Sequence, residues 1–170
     1  AISIIKLLIF TGARKGEIEK LHWSEVDFTR GYLCLSDSKT GQKNIPLNAA
    51  ALEVLAEVPR MAGSPFVFPA NRGDGYYQGT PKAWNLIRQK AGIGEVRLHD
   101  LRHSFASIAV SGGASLPMVG ALLGHADSAT THQYAHLLDD PLKLVTEAAG
   151  KMLSESLSGN GSRQVRSTDK

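Results

Sequence analysis

Two short runs of strand-forming residues lie close together in this chain of 170 residues. They cover residues 32–35 and 43–47, and residues 38–42 between them include a glycine that suits the positive φ of a hairpin connection. Pro46 cannot donate a ladder hydrogen bond, so we predict that the second run is an edge strand. The rest of the chain shows helical patterns. We therefore expect a mainly α fold with a small antiparallel β-sheet (α+β).

Helix signals surround this predicted hairpin. The first predicted helix, residues 2–10, has an apolar stripe formed by Ile4, Ile5, Leu8 and Ile9. Predicted N-caps precede two later helices at Asn48 and Thr80, and Ser115 is predicted to start a third. Residues 59–79 are rich in Pro, Gly and Asn and are predicted to form a long surface loop. The other predicted helices cover residues 14–21, 49–58, 81–91, 99–110, 115–123, 128–137 and 141–157.

The domain organisation follows from these elements. We expect one compact domain over residues 1–157, because 170 residues can enclose a single hydrophobic core. Residues 158–170 combine Ser, Gly and charge and are predicted to be a disordered basic tail. The chain starts inside a predicted helix, and we interpret it as a fragment of a longer protein.

Composition excludes some classes of protein. No apolar run approaches the roughly 18 residues that a membrane span needs. Cys34 is the only cysteine, so an internal disulfide framework is excluded, and a reducing cytoplasm is the expected compartment. In an apolar strand, Cys34 is most simply a core residue.

Charge is distributed unevenly along the chain. The net charge is +3, which does not by itself indicate a nucleic-acid partner. Residues 81–103, however, hold five Lys or Arg against two acids, whereas residues 104–150 hold one Lys against four acids. Such an arrangement could present a basic face to a polyanion, and a solvated charged surface explains it equally well.

The strongest local signal is Leu98-His99-Asp100-Leu101-Arg102-His103-Ser104. His99 and Arg102 are three residues apart and project from one face of a helix start. An imidazole and a guanidinium held together at a helix N-terminus suit an anionic oxygen centre. Leu101, Phe105 and Ile108 are predicted to anchor the opposite face in the core.

Three weaker sequence signals supply further candidate residues for a site that binds an anionic oxygen centre. Arg14 follows a Gly break in T-G-A-R-K-G-E-I, and Glu17 is available to hold its guanidinium. His125 directly follows a predicted helix end at Gly124. Tyr134 comes nine residues later in a predicted helix. A single tyrosine is usually only a packed amphipathic side chain.

In order and spacing, these elements resemble the tyrosine recombinases, also called the phage integrase family. The resembling segments are T-G-A-R-K-G-E-I, S-K-T-G-Q-K-N-I-P-L, L-H-D-L-R-H-S-F-A-S, L-L-G-H-A and the tyrosine, and the likeness covers essentially residues 1–150. The resemblance implies a tyrosine recombinase/type IB topoisomerase-like catalytic core. It also implies six catalytic residues, with Glu17 supporting the first arginine; these six are Arg14, Lys39, His99, Arg102, His125 and Tyr134.

The chemistry that the resemblance implies is cleavage and rejoining of DNA. Tyr134 would attack the scissile phosphodiester and form a 3′-phosphotyrosine intermediate, which a 5′-hydroxyl would resolve without metal or ATP. Two arginines would stabilise charge on the phosphate. His99 is the candidate base for the tyrosine, and Lys39 the candidate acid for the leaving oxygen. Lys43-Asn44, where the family often has Arg or Lys, is interpreted as ordinary variation.

The partners implied are double-stranded DNA and, for a full-length protein, a homo-tetramer on two duplexes. The predicted helix over residues 141–157 could dock on a neighbour, or pack on its own core. The DNA-clamping domain that precedes this core in the family is absent from the chain. The resemblance implies action in the cytoplasm, at the nucleoid when engaged with DNA, and no membrane partner.

Three alternatives use the same residues differently. A type IB topoisomerase-like nicking-closing enzyme shares the chemistry, whereas a non-cleaving DNA-binding module would leave Tyr134 structural. A zinc site could use His132 and His136, which are four residues apart on a predicted helix, but no third ligand is evident. A serine hydrolase lacks its G-x-S-x-G motif.

Overall fold

The computed structural model describes residues 1–38, 41–125, 127, 129–137 and 141–158. The chain divides into two compact units, Ala1–Leu137 and Leu138–Lys170. In the first unit the helices are α1 Ile2–Thr11, α2 Lys15–Glu19, α3 Ala49–Ala56, α4 Thr80–Lys90, α5 Asp100–Ser111, α6 Leu116–Leu123 and α7 Ala129–His132. Its strands are β1 Val26–Asp27, β2 Tyr32–Ser38 and β3 Gly41–Pro46, with 3-10 turns at Trp23–Glu25 and Ala135–Leu137.

Helix α1 is the centre of the first unit and contacts α2, α3, α4 and α5. Ile4, Leu7 and Leu8 are almost completely buried, so the apolar stripe follows helical spacing as predicted. Ile9, which we placed on this stripe, is 43% exposed, and Leu7 occupies the core instead. The helix ends at Gly12, whose φ of 62° is the left-handed conformation of a C-cap.

The small sheet has the strand order β1-β2-β3 and is antiparallel throughout. Leu33 pairs with Ile45, and both side chains are buried, so the predicted hairpin is confirmed. Pro46 lies in an edge strand, as expected. The prediction for Cys34 is wrong: it is half-buried, because alternation along β2 puts it on the opposite face from Leu33.

The segment between α3 and α4 is not simply the surface loop that its composition predicts. Val67 is 1% exposed and Phe68 is 8% exposed. The Val67 N–H donates to the Leu21 carbonyl at 2.8 Å, and the Tyr77 N–H donates to the Phe68 carbonyl at 2.7 Å. These bonds hold the apolar pair against the core.

Most helix ends follow their local chemistry. The side chain of Asn48 accepts a hydrogen bond from Ala51 N–H, which confirms this N-cap. The side chain of Ser115 accepts from Met118 N–H, so Ser115 is the N-cap of α6 and the helix itself begins at Leu116. Thr80 is not a cap: Gly79 precedes the helix, and Thr80 is its fully buried first residue.

Two predictions about the later helices are wrong. Ile108 is 73% exposed on α5 and does not anchor that helix in the core. Tyr134 does not lie within a helix, because α7 ends at His132 and a 3-10 turn begins at Ala135. The tyrosine therefore occupies the turn between two short helical segments, where its N–H donates to the Thr131 carbonyl.

The second unit contains α8, Pro141–Ser158, close to the predicted bounds. Ser158 ends this helix, and the rest of the predicted tail, residues 159–170, lies outside the described residues. No helix within the described ranges has both the length and the apolar character of a membrane span.

Candidate active site

Arg102 is the most deeply buried charged group of the candidate site, with 5% of its surface exposed. Its guanidinium donates to the Gly12 carbonyl at 2.7 Å and to the Leu123 carbonyl at 2.8 Å. These carbonyls lie at the C-terminal ends of α1 and α6, where the helix dipole is negative. Arg102 thus joins two helix ends, and among the described residues no carboxylate hydrogen-bonds to it. Burial lowers its pKa from the ordinary value, and so does the positive charge of Arg14.

Arg14 precedes α2 and is held by its own helix. Its side chain donates to Glu17 Oε1 at 3.0 Å, and its backbone N–H donates to Glu17 Oε2 at 2.7 Å. A third contact, from Nη2 to the Gly124 carbonyl at 3.3 Å, reaches the end of α6. Arg14 and Arg102 are therefore fixed on neighbouring carbonyls of one helix terminus.

Lys43 on β3 is a component of the site to which the sequence analysis gave no role. Its Nζ donates to Glu17 Oε2 at 3.0 Å and Oε1 at 3.2 Å, and both side chains are only 6% exposed. Alternation along β3 puts Lys43 on the same core-facing side as Ile45. In the sequence, the spacing of two residues between Lys43 and Ile45 on a predicted strand was the signal that this lysine faces the core and needs a buried anion as its partner.

The Glu17–Lys43 pair changes the pKa of both groups. Burial by itself raises the pKa of Glu17, but the hydrogen bond from the Arg14 N–H and the charge of Lys43 outweigh it, so the pKa lies below its ordinary value. Burial lowers the pKa of Lys43 despite the attraction of Glu17, and the charges of Arg102 and Arg14 act in the same direction.

His99 lines a cavity of about 240 Å³ together with Arg102. The remaining residues of this lining are Ala13, Lys15 and Leu98. Partial burial lowers the pKa of His99, and so do the adjacent His103 and Arg102. Its imidazole is therefore biased towards the neutral form, which offers one N–H donor and one acceptor.

His125 follows the left-handed C-cap Gly124 at the end of α6. Its Nδ1 lies 2.9 Å from Thr131 Oγ1, which fixes the ring against α7. Burial lowers the pKa of His125, and the charges of Arg102, Arg14 and Lys43 lower it further. His125 thus belongs to the same electrostatic neighbourhood as the two arginines.

Tyr134 is 5% exposed, and its hydroxyl oxygen lies 2.6 Å from His103 Nδ1. Burial raises the pKa of Tyr134, whereas the positive charge of Arg102 acts to lower it. His103 is part of the motif at residues 98–104, but no role was predicted for it. Its spacing of four residues from His99 was the signal, because residues i and i+4 share a helix face.

The structure brings most of the expected site residues into one region. Arg14, Glu17 and Lys43 form a chain of hydrogen bonds, and Arg14 and Arg102 donate to the neighbouring carbonyls of Gly124 and Leu123 at the end of α6. The electrostatic influence of Arg102 reaches the other expected residues His99, His125 and Tyr134. Lys39 lies outside the described residues. Chemically, this is a positively charged site next to a buried phenol, suited to a phosphate anion.

Comparisons with known proteins agree with this fold. Residues 2–140 match the phage integrase family. Tyrosine recombinase XerD of Rhizobium meliloti (strain 1021) is 33% identical over 149 residues, which cover 82% of this chain and 48% of that protein. The crystal structure of XerA recombinase has a TM-score of 0.69 and 26% identity, covering 86% of this chain and 55% of that one.

A second solved structure is that of the XerH site-specific recombinase bound to a palindromic difH substrate, a post-cleavage complex. Its TM-score is 0.67 and its identity is 25%, and the match covers 85% of this chain and 44% of that chain. This chain spans about half the length of the curated relatives it matches. Since the family match takes in most of the chain and the fold agrees with it, the chain belongs to the phage integrase family of tyrosine recombinases.

Proposed function

We propose that this chain is the catalytic domain of a site-specific DNA recombinase in which Tyr134 is the nucleophile. The observation that carries the proposal is the position of a buried tyrosine within the electrostatic field of Arg102, which carbonyls at the ends of α1 and α6 hold next to Arg14. Residues 1–157 would form the catalytic domain. Double-stranded DNA is the proposed substrate, in line with the DNA complex of XerH.

The two arginines would stabilise the charge that develops on the phosphate during attack. A guanidinium has more N–H donors than the carbonyl bonds of Arg102 use, so donors remain for an anion. Preorganised donors of this kind are worth roughly 3–4 kcal/mol of barrier each. His99 lines the cavity beside Arg102 and would add a donor to the same phosphate, and His125 would act from the end of α6.

The nucleophile needs help to lose its proton. A phenol with the ordinary pKa of about 10 is only about 0.1% ionised at neutral pH. Burial raises the pKa of Tyr134 above that value, so ionisation has to accompany the attack. The O–H proton would move to a neighbouring imidazole while the tyrosine oxygen bonds to phosphorus and the bond to the 5′ oxygen breaks.

The 5′ oxygen takes up a proton as it leaves, and Lys39 is proposed as the donor because of its place in the resembling hairpin motif. The phosphotyrosine bond conserves the energy of the phosphodiester, so attack by a 5′-hydroxyl on the intermediate restores a DNA strand. A homo-tetramer on two duplexes, with α8 docked on a neighbour, is the proposed assembly of the full-length protein. It would act in the cytoplasm, at the nucleoid.

Covalent trapping on DNA tests this function. Nicked suicide duplexes with a randomised core lose a short 5′-hydroxyl fragment after cleavage, so an adduct accumulates. The wild-type chain, tested alone and with an upstream DNA-clamping domain supplied, should form an adduct that resists denaturation, and Tyr134→Phe should form none. Equal adduct from both proteins, or none from a wild type that binds the DNA, would refute the proposal.

A further inference from the structure

The hydroxyl of the proposed nucleophile contacts a histidine that the family motif does not assign. His103 Nδ1 lies 2.6 Å from the Tyr134 hydroxyl oxygen, within the usual distance of a hydrogen bond. The rings are tilted, with centroids 6.0 Å apart, so they approach through these polar atoms and not by stacking. His103 is half-buried, and Tyr134 is 5% exposed, so bulk water competes little for this bond.

His99 has a different position although it lies one helical turn away. It lines the cavity of about 240 Å³ with Arg102. Its ring meets the ring of His103 edge-on, with centroids 5.0 Å apart and an interplanar angle of 87°. The two histidines lie next to each other at the start of α5, but they have different partners. His99 lines the cavity with Arg102, and His103 contacts Tyr134.

We propose that His103 is a further catalytic residue, the base that accepts the proton of Tyr134 during attack. This inference rests on the proposed function. His99, which the motif suggested as the base, would instead donate a hydrogen bond to the phosphate in the cavity beside Arg102. The structure thus divides the two tasks between residues four positions apart.

The proposed step balances without a co-reactant. The step requires the tautomer of His103 that carries its ring proton on Nε2, because Nδ1 then accepts from the hydroxyl. The Tyr134 O–H bond breaks, its proton moves to Nδ1, the new O–P bond forms, the P–O5′ bond breaks, and the 5′ oxygen takes up a proton from the proposed acid Lys39. During rejoining, His103 returns the same proton to the tyrosine oxygen. Nothing is oxidised or reduced.

Several titratable groups surround His103 and bear on any measured pH dependence. On its own helix these are His99 and Asp100, each of which interacts electrostatically with it. From other elements they are His125, after α6, and Tyr134 itself. A pH profile of the wild type alone therefore does not identify the base, and variants of single residues are required.

The discriminating variant is His103→Asn. The Asn side-chain oxygen can accept the tyrosine hydrogen bond near the position of Nδ1, but it does not take up a proton at neutral pH. We expect unchanged circular dichroism and DNA binding, with adduct formation slower by about 100-fold or more. The decline of the wild-type rate on the acid side should also disappear.

Two matched substitutions serve as controls. His99→Asn should also slow adduct formation, yet keep the acid-side decline, because the base is still present. His132→Asn replaces an exposed histidine on α7 and should behave as wild type. If His99→Asn removes the acid-side decline and His103→Asn keeps it, the base is His99 and the proposal is wrong.

A chemical rescue keeps the test open to refutation if His103→Asn misfolds. In His103→Ala, added imidazole should restore adduct formation in proportion to its concentration, with no such effect on Tyr134→Phe. A folded, DNA-binding His103→Ala that forms adduct at the wild-type rate, or does not respond to imidazole, overturns the role of His103. Failure of the wild type itself to form adduct would instead refute the proposed function.

Discussion

Replacing Lys43 by methionine isolates the buried ion pair on which the site rests. The substitution keeps the length of the side chain and removes its charge and its two bonds to Glu17, of 3.0 and 3.2 Å. Glu17 would remain buried, since its side chain is only 6% exposed. It would keep the Arg14 contacts at 2.7 and 3.0 Å.

The expected loss in the free energy of unfolding lies between two known limits. Leaving a buried charge without any partner costs about 3–5 kcal/mol. Losing hydrogen bonds to a charged group costs about 1.5–3 kcal/mol, and this limit is nearer because Arg14 still compensates Glu17. We therefore expect Lys43→Met to lower the free energy of unfolding by about 2–3 kcal/mol, a large part of the roughly 5–15 kcal/mol typical of a domain.

Urea unfolding followed by circular dichroism at neutral pH measures this loss. Lys82→Met, at an exposed position of α4, is the matched control and should change stability by less than about 0.5 kcal/mol. In a double-mutant cycle with Glu17→Gln, the coupling energy should be about 1–3 kcal/mol. A Lys43→Met loss no greater than that of the control, or a coupling near zero, would refute the idea that this pair stabilises the site.

The contribution of Glu17 to stability should decrease as the pH falls. The pKa of Glu17 is lower in the folded protein than its ordinary value of 4.5, so the unfolded chain takes up this proton first. The contribution of Glu17 to stability is complete well above that pH and is lost as the pH falls through the lowered pKa. Glu17→Gln should therefore remove part of the acid-induced loss of stability.

Two further predictions concern the neighbours of this pair. Gly124→Ala should lower the free energy of unfolding in urea by about 1–3 kcal/mol, because φ is +67° and the new Cβ would lie 2.8 Å from Lys43 Cε. The control Gly92→Ala, at φ +70° with open space around it, should lose only about 1 kcal/mol through backbone strain. Equal losses in the two variants would contradict a close contact at Gly124. Tyr134 should ionise above the ordinary value of 10.0 in a near-ultraviolet absorbance titration, because burial raises its pKa. Since the folded pKa is raised, the wild type should lose stability relative to Tyr134→Phe as the pH rises above that value, and ionisation below it would contradict the burial.

Features decided by neighbouring residues could be predicted from the sequence. Gly12 and Gly124 end α1 and α6 because glycine adopts the left-handed conformation without a Cβ clash. Asn48 and Ser115 begin helices through bonds within three residues. The order of chemical residue types along the chain was also sufficient to predict the family.

Features decided by distant residues could not be predicted. Arg102 bonds to carbonyls 90 and 21 residues away, and Lys43 pairs with a carboxylate 26 residues away. Periodicity fixes the face of an element but not what that face meets. The burial of Lys43 and the exposure of Ile108 followed from packing, as did the contact of Tyr134 with His103 instead of with a helix neighbour.

The choice of partners explains how this site can hold several cations and still attract an anion. Carbonyl dipoles position Arg102 without bringing a negative charge into contact with its guanidinium. Within the described residues, Glu17 is the one carboxylate that bonds to these cations, and Arg14 and Lys43 share it. The three cations thus keep an excess of positive charge in a half-enclosed region where screening by water is weak. A phosphodiester would supply the missing negative charge, and its binding would be strongest when attack adds charge to its oxygens.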